Sequence, residues 1–111
     1  MKKVYVTPGE LKALDDSIET HKHKQLDLDS GENSYVWCGG EDCACCIHAG
    51  ISFIKGANCY KCAIGKAGYE GCIGIGWRIR MKKDDHQHLL DKLIEIREHC
   101  IIKKTKNVKV V

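Results

Sequence analysis

The sequence has few aromatic residues and no long apolar run. Its 111 residues include one phenylalanine, two tryptophans and four tyrosines, so large apolar anchors for a core are scarce. No stretch is apolar over the ~20 residues that a transmembrane helix needs. The segment after Met1-Lys2-Lys3 is not a signal-peptide core, because Pro8, Gly9 and Glu10 interrupt it. The length of 111 residues predicts a single domain, residues 1–111. The lack of a signal-peptide core and of a transmembrane run predicts that it lies in the cytosol, where thiols stay reduced.

Motifs that would indicate catalysis are also missing. The chain has no G-x-S-x-G nucleophile elbow, no H-E-x-x-H metalloprotease helix and no H-x-E followed by P-C-x-x-C, as in zinc deaminases. The sequence therefore predicts a protein that is not an enzyme.

What the chain has in excess is cysteine, eight in all. Two C-x-x-C pairs, Cys43 with Cys46 and Cys59 with Cys62, can each present two thiolates from one tight turn. Together they complete a tetrahedral shell of four sulfurs, which selects zinc or an iron–sulfur centre. A zinc site of these four residues is the favoured interpretation. Buried cysteines without a ligand role, or a disulfide framework, are the alternatives.

The chain has more thiols than one metal shell needs. Cys72 is the substitute ligand, whereas Cys38, Cys45 and His48 are left open as further ligands. A two-metal cluster with shared thiolates would use the surplus. Because C-x-x-C is also a dithiol motif, a thiol redox protein is another alternative. Cys100 falls on the apolar side of a predicted helix, which favours packing over ligation.

Two helices are predicted on either side of this centre. Thr7, Pro8 and Glu10 form a capping-box start for a helix over 8–25. A second helix over 85–101 has its apolar residues at helical spacing and Asp84 or Asp85 as its cap. The histidines of both segments are interpreted as surface or cap residues; these are His21, His23, His86 and His88.

The remaining segments are assigned as follows. Short strands are predicted at 4–6, 35–37, 51–54 and 77–82, and loops at 27–34 and after the second cysteine pair, where glycines recur. Residues 35–83 are thus the cysteine-rich centre, and a basic tail follows over 102–111. The predicted fold is a small α+β domain stabilised by zinc.

Positive charge is concentrated late in the chain. Residues 1–75 have eight Lys and Arg against ten Asp and Glu, whereas residues 76–111 have ten against five. The candidate binding surface is Trp77, Arg78, Arg80, Lys82 and Lys83, since alternate residues of a strand share one face. A row of cations beside an aromatic ring suits a nucleic acid or a host protein, or a small anionic ligand such as a nucleotide near Gly71–Gly76. The alternative is that this strand face is simply exposed to solvent and binds nothing, since any half-exposed strand shows the same alternation of apolar and polar residues.

The order of motifs resembles that of a group of small proteins encoded by bacteriophages and prophages. Their pattern is a helix with L-x-x-L-x-x-S-I-x-H-W, then C-x-x-C, C-x-x-C-P, a later G-C and a C-terminal helix. This chain matches at Leu11, Leu14, Ser17 and Ile18, at both cysteine pairs and at Gly71-Cys72. It departs at His21, which is offset, at the missing tryptophan and at Ala63 in place of proline.

The resemblance implies a metal-binding phage protein and adds Cys72 to the ligands, but it implies no activity. Combined with the residues above, it predicts a non-catalytic, zinc-stabilised binding module for a host protein or nucleic acid in the host cytosol. Sequestration of a nucleotide signal, as a counter-defence, is the alternative.

Overall fold

The structure is a computed structural model that describes residues 2–38, 51–52, 56–57, 63–68, 76, 78 and 80–102. Three helices lie within these residues: α1 (Pro8–Asp29), α2 (Ala63–Lys66) and α3 (Lys83–Glu98). The strands of the same residues are β1 (Val4–Val6), β2 (Tyr35–Trp37), β3 (Ile51–Ser52), β4 (Gly56–Ala57), β5 (Arg80–Lys82) and β6 (Cys100–Ile102). The predicted α+β class is confirmed.

Helix α1 begins as the sequence predicts. The Thr7 hydroxyl accepts a hydrogen bond from the Glu10 amide, the Glu10 carboxylate accepts one from the Thr7 amide, and Pro8 occupies the first turn. The helix continues to Asp29 rather than ending near residue 25, so part of the predicted acidic loop is helical. Leu28 explains the extension, because its buried side chain joins the core only if the last turn forms.

Helix α3 differs from its prediction at both ends. Its N-cap is Lys82, in extended conformation and without a side-chain cap, while Asp84 and Asp85 lie in the first turn, where they complement the helix dipole. The helix ends at Glu98, and Cys100 belongs to strand β6 rather than to the helical stripe. Pairing with β1 provides backbone hydrogen bonds that a longer helix would forgo.

The strands form three separate two-stranded pairs. β1 and β6 are parallel, with Val4 opposite Cys100 and Val6 opposite Ile102. β2 and β5 are antiparallel, and so are β3 and β4. The strands predicted at 4–6 and 35–37 are confirmed. β3 covers the first two residues of the strand predicted at 51–54, the other two lying outside the described residues, and β5 is shorter than the predicted 77–82 because Arg78 is not part of it.

Helix α2 was predicted as part of a glycine-rich loop. Its residues Ala63 and Ile64 are buried in the core, which gives this single turn an anchor despite Gly65. Among the described elements, α1 and α3 make the most extensive contact. Their buried faces carry Leu14, Ile18, Leu89, Leu93 and Ile96, so the predicted apolar stripe of α3 is confirmed as far as Ile96.

A partly buried ion pair connects α2 to the start of α1. The Lys66 ammonium lies 2.6 Å from the carboxylate of Glu10, which is 5% exposed. Burial acts to raise the pKa of Glu10, but Lys66 and the hydrogen bonds with Thr7 outweigh it and lower the pKa below its ordinary value. This carboxylate is therefore held ionised inside the fold.

Replacing Lys66 by Met should lower the free energy of unfolding at pH 7 by about 1 to 2 kcal/mol, less than for a fully buried pair because Lys66 is 34% exposed. Since the folded-state pKa of Glu10 is lowered, the pair stabilises above the unfolded pKa of about 4.3 and stops doing so as the pH falls through the folded value. Urea unfolding at pH 7 and at about pH 3 measures the difference. Lys12→Met, at the exposed pair with Asp16, is the control and should change little at either pH. If Lys66→Met lowered the free energy of unfolding by the same amount at both pH values, this explanation would be contradicted.

No helix of the described residues has both the length and the apolar character needed to cross a bilayer.

Candidate metal centre

Three side chains that can ligate a metal meet inside the fold. The ligand atoms of His21, Cys38 and His86 all lie within 4.8 Å of one another. The exposed fractions of these side chains are 7%, 2% and 0%, so the group is closed to bulk solvent. Two of the residues come from separate helices and the third directly follows strand β2, and the packing of these elements creates the group.

Helix α1 places His21 on its buried face, between Ile18 and Gln25. Residues three and four positions apart on a helix lie on the same side, so His21 and Gln25 both point toward α3. Helix α3 presents His86 in the same way, one turn before Leu89 and Leu90, on the stripe that faces the core.

Strand β2 positions Cys38. Side chains alternate along the strand, so Val36 is buried, Trp37 is exposed and Cys38, directly after the strand, is buried again. β2 pairs with β5, and β5 leads directly into α3. The Cys38 sulfur lies within 4.8 Å of a ring nitrogen of His86, in the first turn of α3.

The two histidines are in direct contact. His21 Nδ1 lies 2.9 Å from His86 Nε2, and the ring centroids are 5.1 Å apart. Two imidazole nitrogens bound to one tetrahedral zinc at 2.0–2.1 Å would be about 3.4 Å apart. The two nitrogens therefore need to separate by only about 0.5 Å for both to bind one ion.

Gln25 fixes the tautomer of His86. Its amide nitrogen donates to the Asp29 carboxylate at 2.9 Å and to the Lys83 carbonyl at 3.4 Å, and both of these groups can only accept. The amide oxygen therefore faces His86 Nδ1, 2.7 Å away, and this nitrogen carries the proton. His86 Nε2 is left with its lone pair directed at His21, which is the form that binds metal.

The same surroundings keep His86 neutral. Burial, followed by the nearby His21 and Lys24, lowers the pKa of His86 to about 4. At neutral pH, His86 thus has no proton on Nε2 to give up before it ligates.

The residues predicted from the sequence fall into two sets. Cys43, Cys46, Cys59, Cys62, Cys72 and Trp77 lie outside the described residues, as do Cys45, His48 and the tail from residue 103. The cysteine pairs of the redox hypothesis lie in this part of the chain, as does the glycine-rich loop of the nucleotide hypothesis apart from Gly76, so both hypotheses stay predictions.

The second set lies within the structure. Arg78, Arg80 and Lys82 are exposed, with Met81 buried between the last two, so the predicted alternation is confirmed over β5. Lys83 starts helix α3, and its ammonium lies 3.9 Å from the Asp29 carboxylate.

The interpretation of His21 and His86 as surface or cap residues is wrong, because both are buried and lie in the group that could hold a metal ion. A signal for them existed, because each occupies a position of an apolar stripe: His21 with Leu14 and Ile18, and His86 with Leu89 and Leu90. The contact between the two histidines could not be predicted from local sequence, since 65 residues separate them. Cys38, left open by the sequence, joins them.

Comparison of the chain with models of protein families, with curated proteins and with solved structures gave no match.

Proposed function

We propose that this chain is a zinc-binding protein in which the metal stabilises the fold instead of performing catalysis. The observation that carries the proposal is the buried His21–Cys38–His86 group, whose three ligand atoms lie within 4.8 Å of one another. One metal ion bound there would connect α1, the end of β2 and the start of α3.

The donor set favours zinc. A thiolate with two neutral imidazoles is a common zinc shell, whereas calcium and magnesium prefer oxygen ligands. Structural zinc sites have four protein ligands, and the chain has six cysteines beyond the described residues that are candidates for the fourth. Such a shell belongs in a reducing cytosol, where the thiols are not consumed by disulfides.

The burial of the group supports a non-catalytic role. A catalytic zinc keeps a coordination position open to water and substrate, and His86 is fully buried, with Gln25 occupying its second nitrogen. The metal would instead hold a binding module in shape, as the sequence predicts for a partner that is a host protein or a nucleic acid.

Metal content tests the proposal directly. Elemental analysis of protein purified without added metal should find zinc in the wild type, and Cys38→Ala should have one zinc ion less per chain. Cys100→Ala is the matched control: this thiol is half-buried in β6, donates to the Ile96 carbonyl at 3.2 Å and is not part of the group, so its removal should leave the zinc in place. Circular dichroism shows which variants remain folded.

A third variant, Cys59→Ser, shows how the predicted cysteine pairs relate to this centre. If they bind a second ion, the wild type contains two zinc ions and each variant, Cys38→Ala or Cys59→Ser, retains one. If they complete the same shell, the wild type contains one and both variants contain none. Wild-type protein without metal, or a folded Cys38→Ala variant with the full zinc content, would contradict the proposal.

A further inference from the structure

The outward face of the β2–β5 pair is built from aromatic and cationic side chains alone. Tyr35 lies opposite Lys82 and Trp37 lies opposite Arg80, and all four side chains point away from the core. The inward positions, Val36 and Met81, are buried. We refer to Tyr35, Trp37, Arg80 and Lys82 as the β2–β5 face.

The rings of this face are held in place by one another. The Arg80 guanidinium lies over the Tyr35 ring, 4.0 Å from its centroid, and the Trp37 ring meets the Tyr35 ring edge to face at 5.5 Å. Trp37 is nevertheless 60% exposed. The arrangement therefore presents a large indole surface to solvent on a preorganised support.

The charge of the face is not neutralised within the described residues. None of their ion pairs involves Arg80 or Lys82, although Lys12, Lys66, Lys83, Lys92 and Arg97 each have a carboxylate partner. Stacking on Tyr35 uses the plane of the Arg80 guanidinium and leaves its edge, which carries the N–H donors, for an anion.

An open groove borders the face on the side of β2. It has a volume of about 430 Å³ and is lined by Lys24, Glu32, Asn33 and Ser34 together with the strand. The Lys24 ammonium donates to the Trp37 carbonyl, which joins the groove to the strand. Amide and hydroxyl groups there can pair with the polar edge of an unstacked base.

We propose that the β2–β5 face binds single-stranded nucleic acid, with a base stacked on Trp37 and backbone phosphates held by Arg80 and Lys82. Proteins that bind single strands without sequence preference combine these same two elements, a cationic surface and an aromatic stacking platform. A duplex keeps its bases stacked on one another and cannot use Trp37. An acidic peptide can use the cations but has no base for the indole.

This inference rests on the proposed function, because it names the partner of the proposed binding module. Metal content is measured on the same protein preparations, so failure of the metal centre and failure of the nucleic-acid face are distinguishable. A variant with full zinc content that does not bind an oligonucleotide locates the defect in the face.

Fluorescence anisotropy with a labelled oligothymidylate, between about 50 and 200 mM salt, tests the inference. Trp37→Ala should weaken binding about tenfold or more, while the dependence of affinity on salt stays that of the wild type. Arg80→Ala and Lys82→Ala should each reduce the slope of log K against log salt by about 0.7, the value for one phosphate contact on a single strand. The variants thus separate stacking from charge.

Two exposed residues elsewhere provide controls. Tyr5→Ala removes an exposed ring from β1, and Lys12→Ala removes an exposed cation from α1, and both should bind as the wild type does. The inference is overturned if the wild type shows no saturable binding, if Trp37→Ala binds normally, or if Lys12→Ala weakens binding as much as Arg80→Ala. Equal competition by duplex DNA or by polyglutamate would also overturn it.

Discussion

A chelator that removes zinc should lower the melting temperature of the wild-type protein by roughly 10 °C or more. A ligand present at about 100 times its dissociation constant stabilises the folded state by about 2.7 kcal/mol. For a domain of this size, each kcal/mol corresponds to roughly 4–8 °C. Thermal unfolding followed by circular dichroism, with and without chelator, measures the shift.

The variant His86→Ala shows how much of this shift comes from the buried centre. It should already melt at a lower temperature, and added chelator should lower that temperature by less than in the wild type. His88→Ala is the matched control, because His88 lies on the same helix two residues away and is exposed, so this variant should shift as the wild type does. Equal shifts in the wild type and in His86→Ala would contradict metal binding by His86.

Leu93→Ala should lower the free energy of unfolding by about 2 to 5 kcal/mol. Leu93 lies on α3 and is fully buried in the hydrophobic core, so truncating it removes apolar contacts and leaves a cavity that close packing cannot fill. Urea denaturation at constant metal concentration measures the loss. The midpoint should fall with little change in the denaturant slope.

Ile102→Ala is the comparison for Leu93→Ala. Ile102 is 48% exposed in β6, so removing its side chain should change stability by no more than about 0.5 kcal/mol. If both variants lost the same stability, the α1–α3 interface would not be the main core of the protein.

Local signals explain which parts of the fold could be predicted. The Thr7, Pro8 and Glu10 combination defines the start of α1 because all its hydrogen bonds are made within one turn. The buried Met81 between exposed Arg80 and Lys82 follows in the same way from period-two alternation. These features depend on residues that are neighbours in sequence.

Features that depend on tertiary contacts could not be predicted from the sequence. Helix α3 ends at Glu98 because the next residues pair with β1 at the other end of the chain. The single turn of α2 forms where Ile64 reaches the core, despite a glycine-rich context. His86 belongs to the candidate metal centre only because Gln25 and His21 of α1 lie against it. Each of these outcomes is decided by a partner distant in the sequence.

The candidate site likewise combines features that local sequence predicts with features that only tertiary contacts decide. The cysteine pairs were prominent because their spacing is local, and a zinc site built on them remains a prediction. The buried group uses one cysteine that belongs to neither pair and two histidines from separate helices. A spacing rule could not find it, although the apolar positions of both histidines indicated burial.

The parallel pairing of β1 with β6 gives the protein a particular response to mechanical force. A force that pulls residue 3 away from residue 102 acts along the axes of two parallel strands, in opposite directions. The backbone hydrogen bonds that join Val4–Val6 to Cys100–Ile102 are then loaded together in shear, whereas pulling an antiparallel hairpin apart from its open end loads its bonds one after another. The strand pair thus acts as a mechanical clamp across the two ends of the described fold.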